Sequence, residues 1–194
     1  MGPRVFEFGI VFHQQLDLRC QALPRMYALR DAGGETVVLS TPADDAVAIL
    51  DQSVSRLELK LIQGVGRPYP PIRGATGRAL MTFLPREQQV RVVRSAKPPL
   101  SRVGRARHRQ RRAATRRDGV AVSAFERVLG ALAVSGPLWG LGPQPVAALS
   151  VRGRCGAWAL RRSRDWFPSS RGLSTPSRSS TVAATPRGRP RYDT

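Results

Sequence analysis

Cysteine and histidine are scarce: the 194 residues include two of each, Cys20, Cys155, His13 and His108. A disulfide scaffold or a zinc finger needs four or more such residues at close spacing, so both are excluded. Two histidines also exclude a His-rich metal site. No pair of carboxylates and no nucleophile with a base at working spacing stands out, so an enzyme is not expected. His13 and Asp17 are one helical turn apart, but no nucleophile accompanies them. Gly64-Val65-Gly66 is only a fragment of a phosphate loop, without the Lys-Ser/Thr that would complete it. No cofactor is expected. Glu7 interrupts the first apolar run and no small-residue cleavage site follows, which argues against a signal peptide and for a cytoplasmic chain. The uncharged run 128–151 is long enough to span a bilayer. Pro137, Pro143, Pro145 and four glycines would break such a helix, so a buried strand–turn–strand is expected and no membrane contact.

Acidic residues are few against the basic ones, 13 to 32, for a net charge of +19. That charge is unevenly placed. Residues 1–90 carry a net +1 and residues 119–151 a net zero, whereas 91–118 carry +10 and 152–194 carry +8. Lys60 and Lys97 are the only lysines. The stretch 102–117, RVGRARHRQRRAATRR, is half Arg, with Val103 and a few alanines as its only apolar residues. Residues 168–191 are mostly Pro, Ser, Thr, Gly and Arg. Neither buries enough apolar surface to offset an ordering cost of about 1–2 kcal/mol per residue, so both are expected to be disordered.

The near-neutral blocks show regular patterns. Leu16, Leu23, Met26, Tyr27 and Leu29 recur at near-helical spacing over 15–32, with Pro24 predicting a kink or restart and Gly33-Gly34 a stop. On this helix Cys20 is expected to be at least half-buried. The β-branched run 35–41 and the run 46–54 flank Pro42-Ala43-Asp44-Asp45 and read as a hairpin. Residues 56–62, RLELKLI, alternate and predict a half-buried strand with Leu57, Leu59 and Leu61 on one face. A Gly/Pro-rich loop follows. Then come a helix over 75–84, a second helix after Pro85, a short strand at 119–123, and two apolar strands around a turn at Gly140 to Pro143. This order predicts an α+β fold, an antiparallel sheet covered by helices.

Several blocks, in this order and spacing, resemble the effector-binding domain of the isocitrate lyase regulator (IclR) family of bacterial transcription factors. They are Phe6-Glu7-Phe8-Gly9, Gly34-Glu35-Thr36-Val37, and Gly66-Arg67 through Pro70. Gly74-Ala75-Thr76-Gly77-Arg78-Ala79-Leu80 and Phe83-Leu84-Pro85 come next. Gly119-Val120-Ala121-Val122-Ser123 and Pro145-Val146-Ala147-Ala148-Leu149-Ser150-Val151 complete the set. The resemblance covers about 6–95 and 118–152. It implies a GAF-like effector-binding domain over 15–153, interrupted by the Arg-rich 96–117, with 1–14 the remnant of an interdomain linker. It places the family's DNA-binding domain before Phe6, so no helix-turn-helix, and no sequence-specific DNA contact by this chain alone, is expected. The departures at 96–117 and after Gly153 coincide with the basic blocks, which suggests out-of-frame reading of a G+C-rich gene, and a disordered tail over 154–194.

The resemblance also implies a pocket for a small organic acid or aromatic metabolite. Backbone amides of Ala75 and Thr76 would meet its anionic group. Ser123, Ala133 and Ser150 match positions that line the family's pocket, with Leu59 and Leu61 as apolar walls. Arg152 stands where the family often has a small polar residue, and pointing inward it would pair with a carboxylate. The expected function is effector sensing within an oligomer, either of this chain or with an intact paralogue. Two other readings follow from the arginines: a nonspecific nucleic-acid-binding protein, or the product of a degraded gene.

Overall fold

The computed structural model describes residues 3–154. Helix α1 spans Pro3–Gly33, so the backbone of 3–14, expected as linker, is continuous with the predicted helix. Leu18, Ala22, Met26 and Leu29 recur every three or four residues and form the stripe that packs on the sheet. The helix runs through Pro24 rather than restarting there. Pro24 and Cys20, four residues before it, are both exposed. The carbonyl that the proline leaves without a donor therefore lies on the exposed side. The same register corrects the burial expected for Cys20, which is exposed. Gly34, at φ 70°, ends the helix and donates to the Arg30 carbonyl.

Strands β1 (Thr36–Ala43) and β2 (Ala46–Ser53) form the expected hairpin. Strand β3 is a two-residue edge piece, Pro68–Tyr69, followed later by β4 (Ala121–Ala124), β5 (Ala131–Trp139) and β6 (Pro145–Arg154). The described residues make one six-stranded sheet in the order β3-β2-β1-β6-β5-β4, with every pairing antiparallel. The uncharged run thus becomes β5, a turn and β6, as its prolines and glycines predicted.

The alternating leucines do not form a strand. Residues 54–67 cross the end of the sheet without a ladder partner, and Leu57 and Leu59 are exposed. Alternation buries a face only when a neighbouring strand fixes it, and none is available between β2 and β3. Leu61 alone turns partly inward.

The Arg-rich tract is the second correction: Arg102–Asp118 is helix α4, not disordered. Ser101 caps it, its Oγ accepting from the Gly104 amide at 3.1 Å, and Gly119 at φ 73° closes it. Arg, Ala and Gln are good helix formers, and His108 and Thr115, seven residues apart, give it a buried face. Polar anchors replace aliphatic ones: Arg111 pairs with Glu126 at 2.7 Å, and the Arg116 guanidinium lies over the Phe83 ring. The expectation for 154–194 and for Cys155 lies outside the described residues, apart from Arg154 at the end of β6.

Helix α1 covers one face of the sheet, packing on Val37, Leu39, Leu132, Val134, Leu149 and Val151. The other face carries α2 (Ala75–Met81), which packs with Val47, Ala121 and Ala148. A Cβ at Gly77 would stand 2.1 Å from the Pro71 carbonyl, so the loop before α2 rests on the helix where only glycine fits. Helix α3 (Arg86–Arg94) begins after Pro85, and with Ile72, Met81 and Ala96 it forms a smaller core through Val92.

Candidate functional site

Ladder register decides which residues share the α2 face. Ser123 pairs with Ala133, Ala133 with Arg152, and Arg152 with Thr36, giving one row across four strands. The next row holds Ala121, Ser135, Ser150 and Val38. Small and hydroxyl side chains therefore dominate opposite α2, and the space they leave is a cleft. Leu61, Ala75, Thr76, Ser123, Ala133 and Arg152 line it, so six of the eight residues singled out in the sequence meet there. Ser150 lies beneath, bonded to Thr76. Leu59 is not a wall: it is 64% exposed, on the segment that failed to pair. The cavity is small, about 40 Å³, enough for a water or two.

Arg152 is 5% exposed and has no carboxylate partner among the described residues. Its Nη2 donates to Thr76 Oγ1 at 2.7 Å and, at 3.4 Å, to Tyr69 Oη; its Nη1 donates to Gln63 Oε1. Its Nε is buried without a partner among the described residues. Gln63 is held in turn by Gln52 on β2, which accepts from its amide and donates to its carbonyl. Burial lowers the pKa of Arg152 from its ordinary value, Tyr69 counters this, and the charge of Arg127 adds to the lowering.

Below the guanidinium runs a row of hydroxyls. Thr76 Oγ1 and Ser150 Oγ are 2.7 Å apart, as are Ser150 Oγ and Ser135 Oγ, and Ser135 donates to the Leu149 carbonyl at 3.2 Å. Each hydroxyl has one hydrogen. With Ser135 giving its own to Leu149, Ser150 must donate to Ser135 and Thr76 to Ser150. Thr76 is then left as acceptor toward Arg152. Every hydroxyl dipole in the row therefore favours the cation.

The opposite wall is organised by Glu126. Its carboxylate accepts both terminal nitrogens of Arg78, Nη1 at 3.0 Å and Nη2 at 2.9 Å, accepts Arg111 at 2.7 Å, and accepts the Gly74 amide at 3.1 Å. Burial alone would raise its pKa; the bonds from Arg78 and Gly74 and the charges of Arg78 and Arg111 outweigh this and hold it below the ordinary carboxylate value. The amide just before α2 is thus already engaged, and Thr76 contributes to the cleft through its hydroxyl. His108 lies close by, its pKa lowered to about 4, first by burial and then by Arg112 and Arg78. Arg127 follows Glu126 on the rim, its guanidinium 4.1 Å from the centre of the Tyr69 ring.

Gln63, Tyr69, Glu126 and Arg127 escaped the sequence reading. Gln63 and Tyr69 sit in a loop with no pattern to mark them. Glu126 and Arg127 did carry a signal, as the only two charges in 119–151.

A family profile described as "Bacterial transcriptional regulator IclR C-terminal" matches residues 11–167. An HTH-type transcriptional regulator of Mycobacterium tuberculosis is 35% identical over 150 residues, covering 76% of this chain and 57% of that protein. The chain therefore spans little more than half the length of that relative. Among solved structures, an IclR homologue of Microbacterium hydrocarbonoxydans complexed with 4-hydroxybenzoate aligns with a TM-score of 0.69 at 21% identity, over 86% of this chain and 72% of that one. The Thermotoga maritima IclR aligns with a TM-score of 0.70 at 18% identity, over 85% and 68%. These last two show the fold; the profile and the mycobacterial relative show the lineage. By the order of its strands and by the sequence that builds them, this chain belongs to the IclR family of bacterial transcriptional regulators and corresponds to their C-terminal, effector-binding domain.

Proposed function

We propose that the cleft between α2 and the sheet binds a small organic acid, with Arg152 taking its carboxylate, and that the chain senses this effector as part of a transcriptional regulator. One observation carries the reading: a buried guanidinium with neutral partners only and an unused Nε. A charge so placed is costly unless paired, and Nε with Nη2 forms the fork that a carboxylate engages side-on. Ala75, Thr76, Ser123, Ala133 and Leu61 would enclose the rest of the ligand, above Ser150. The homologue that binds 4-hydroxybenzoate supports an aromatic acid as one candidate. Occupancy would act by favouring one of two arrangements of an oligomer, of this chain or with a paralogue, as differential affinity demands.

The test is calorimetric titration of 4-hydroxybenzoate and benzoate into the full chain and into Arg152→Met. Removing one partner of a buried charge pair costs about 2–5 kcal/mol, so affinity should fall at least about 30-fold. Equal binding by the variant, with its unfolding transition intact, would refute the assignment.

A second reading has its own observation. Arg102, Arg105, Arg107 and Arg109 are exposed on α4, with no ion pair among the described residues. A polyanion could bind there nonspecifically. Four phosphate contacts would give a salt slope of about −3 to −4, measurable with random-sequence DNA.

A further inference from the structure

We infer that the cleft is built for a dianion, a small dicarboxylate, with Arg152 holding one carboxylate at the floor and Arg127 the other at the rim. This rests on the effector-site reading above and narrows its ligand.

The charges facing the cleft are Arg73, Arg127 and Arg152 against Glu126. Glu126 is fully committed, to Arg78, Arg111 and the Gly74 amide. Three cations thus face the cleft without an available carboxylate among the described residues. A monoanion would answer one of them.

Tyr69 fixes the geometry of two. Its hydroxyl meets Arg152 at 3.4 Å, and its ring face carries Arg127 at 4.1 Å from the centroid. Tyr69 thus touches both guanidinium groups, one at its hydroxyl and one on its ring face. A compact ligand with a carboxylate at each end can meet both. The stem of Arg127 passes close over Gly74, where an added Cβ would stand 3.0 Å from its Cδ. Among the described residues its head is held only by the ring, and a cation–π contact at an exposed site is weak enough to be exchanged for a carboxylate. Arg127 is exposed, so replacing it should leave the fold intact.

The probes are benzoate and terephthalate, which differ by one carboxylate placed across the ring. Titrated into the full chain, terephthalate should bind about tenfold or more tightly, the gain expected of a charge-assisted hydrogen bond. In Arg127→Gln that preference should vanish, and Arg127→Lys should restore part of it. If both acids bind the unaltered chain equally, or if Arg127→Gln keeps the preference, the dianion inference fails. The effector site survives such a result, provided binding still depends on Arg152. If neither acid binds at all, both readings fall.

Discussion

On the side covered by α1 the sheet presents Val37, Leu39, Leu132, Val134, Leu149 and Val151. On the side covered by α2 the same strands present Ser123, Ala133, Ser135, Ser150 and Arg152. Neighbouring positions along one strand thus serve opposite ends. Leu149 and Val151 point into a dry aliphatic layer, and Ser150 and Arg152 between them point into a polar one. The α1 face gains stability from apolar area removed from water, about 25 cal/mol per Å². The α2 face buries its own apolar cluster through Val47, Ala79, Leu80, Ala121 and Ala148, but the positions around Arg152 are held by named hydrogen bonds. One face is wholly aliphatic, and the other combines a smaller apolar cluster with a charge and a cavity.

That division can be broken from either side. The largest effect is expected on the α1 face: Leu39→Ala, at a fully buried position, should cost about 2–5 kcal/mol in urea unfolding. Acid binding by the folded fraction should be unchanged. Next comes Glu126→Gln, which leaves the buried Arg78 without its charged partner and should cost about 1–3 kcal/mol. Because folding lowers the pKa of Glu126, its bonds stabilise the protein above the ordinary carboxylate value and are lost as pH falls through the lower native one. The unaltered protein should therefore lose stability in that acid range more steeply than the variant. The smallest effect is a change of slope. His108, neutral in the fold with a pKa of about 4, is protonated first in the unfolded chain. Stability should hold above about pH 6.5 and decline from there to about 4. His108→Leu should flatten that decline in unfolding midpoints measured across the window.

The α1 face was almost wholly legible in the sequence, because β-branched runs, a turn and a helical stripe are local signals. The β1–β2 hairpin and the β5–β6 pair fell where their residues predicted. The segment 56–62 misled for a physical reason: its leucines alternate as a strand's would, but period two says nothing about whether a partner strand exists. The tract at 102–117 misled through composition. Counting apolar residues missed a helix held by a serine cap, a left-handed glycine, and the Glu126 carboxylate, fifteen residues beyond Arg111. The α2 face was legible only in part. Ser123, Ala133, Ser150 and Arg152 could be placed by resemblance, and the register brought them together. Gln63 and Tyr69 reach Arg152 from 89 and 83 positions away in the chain, a pairing that no local pattern encodes.

The row of hydroxyls under Arg152 has a consequence for selectivity. With the hydrogens of Thr76, Ser150 and Ser135 all turned toward the Leu149 carbonyl, these three hydroxyls offer a visitor no donor. Under the effector reading proposed above, that row would make the floor weigh ionisation state as well as shape, favouring the salt of a metabolite over its uncharged relatives.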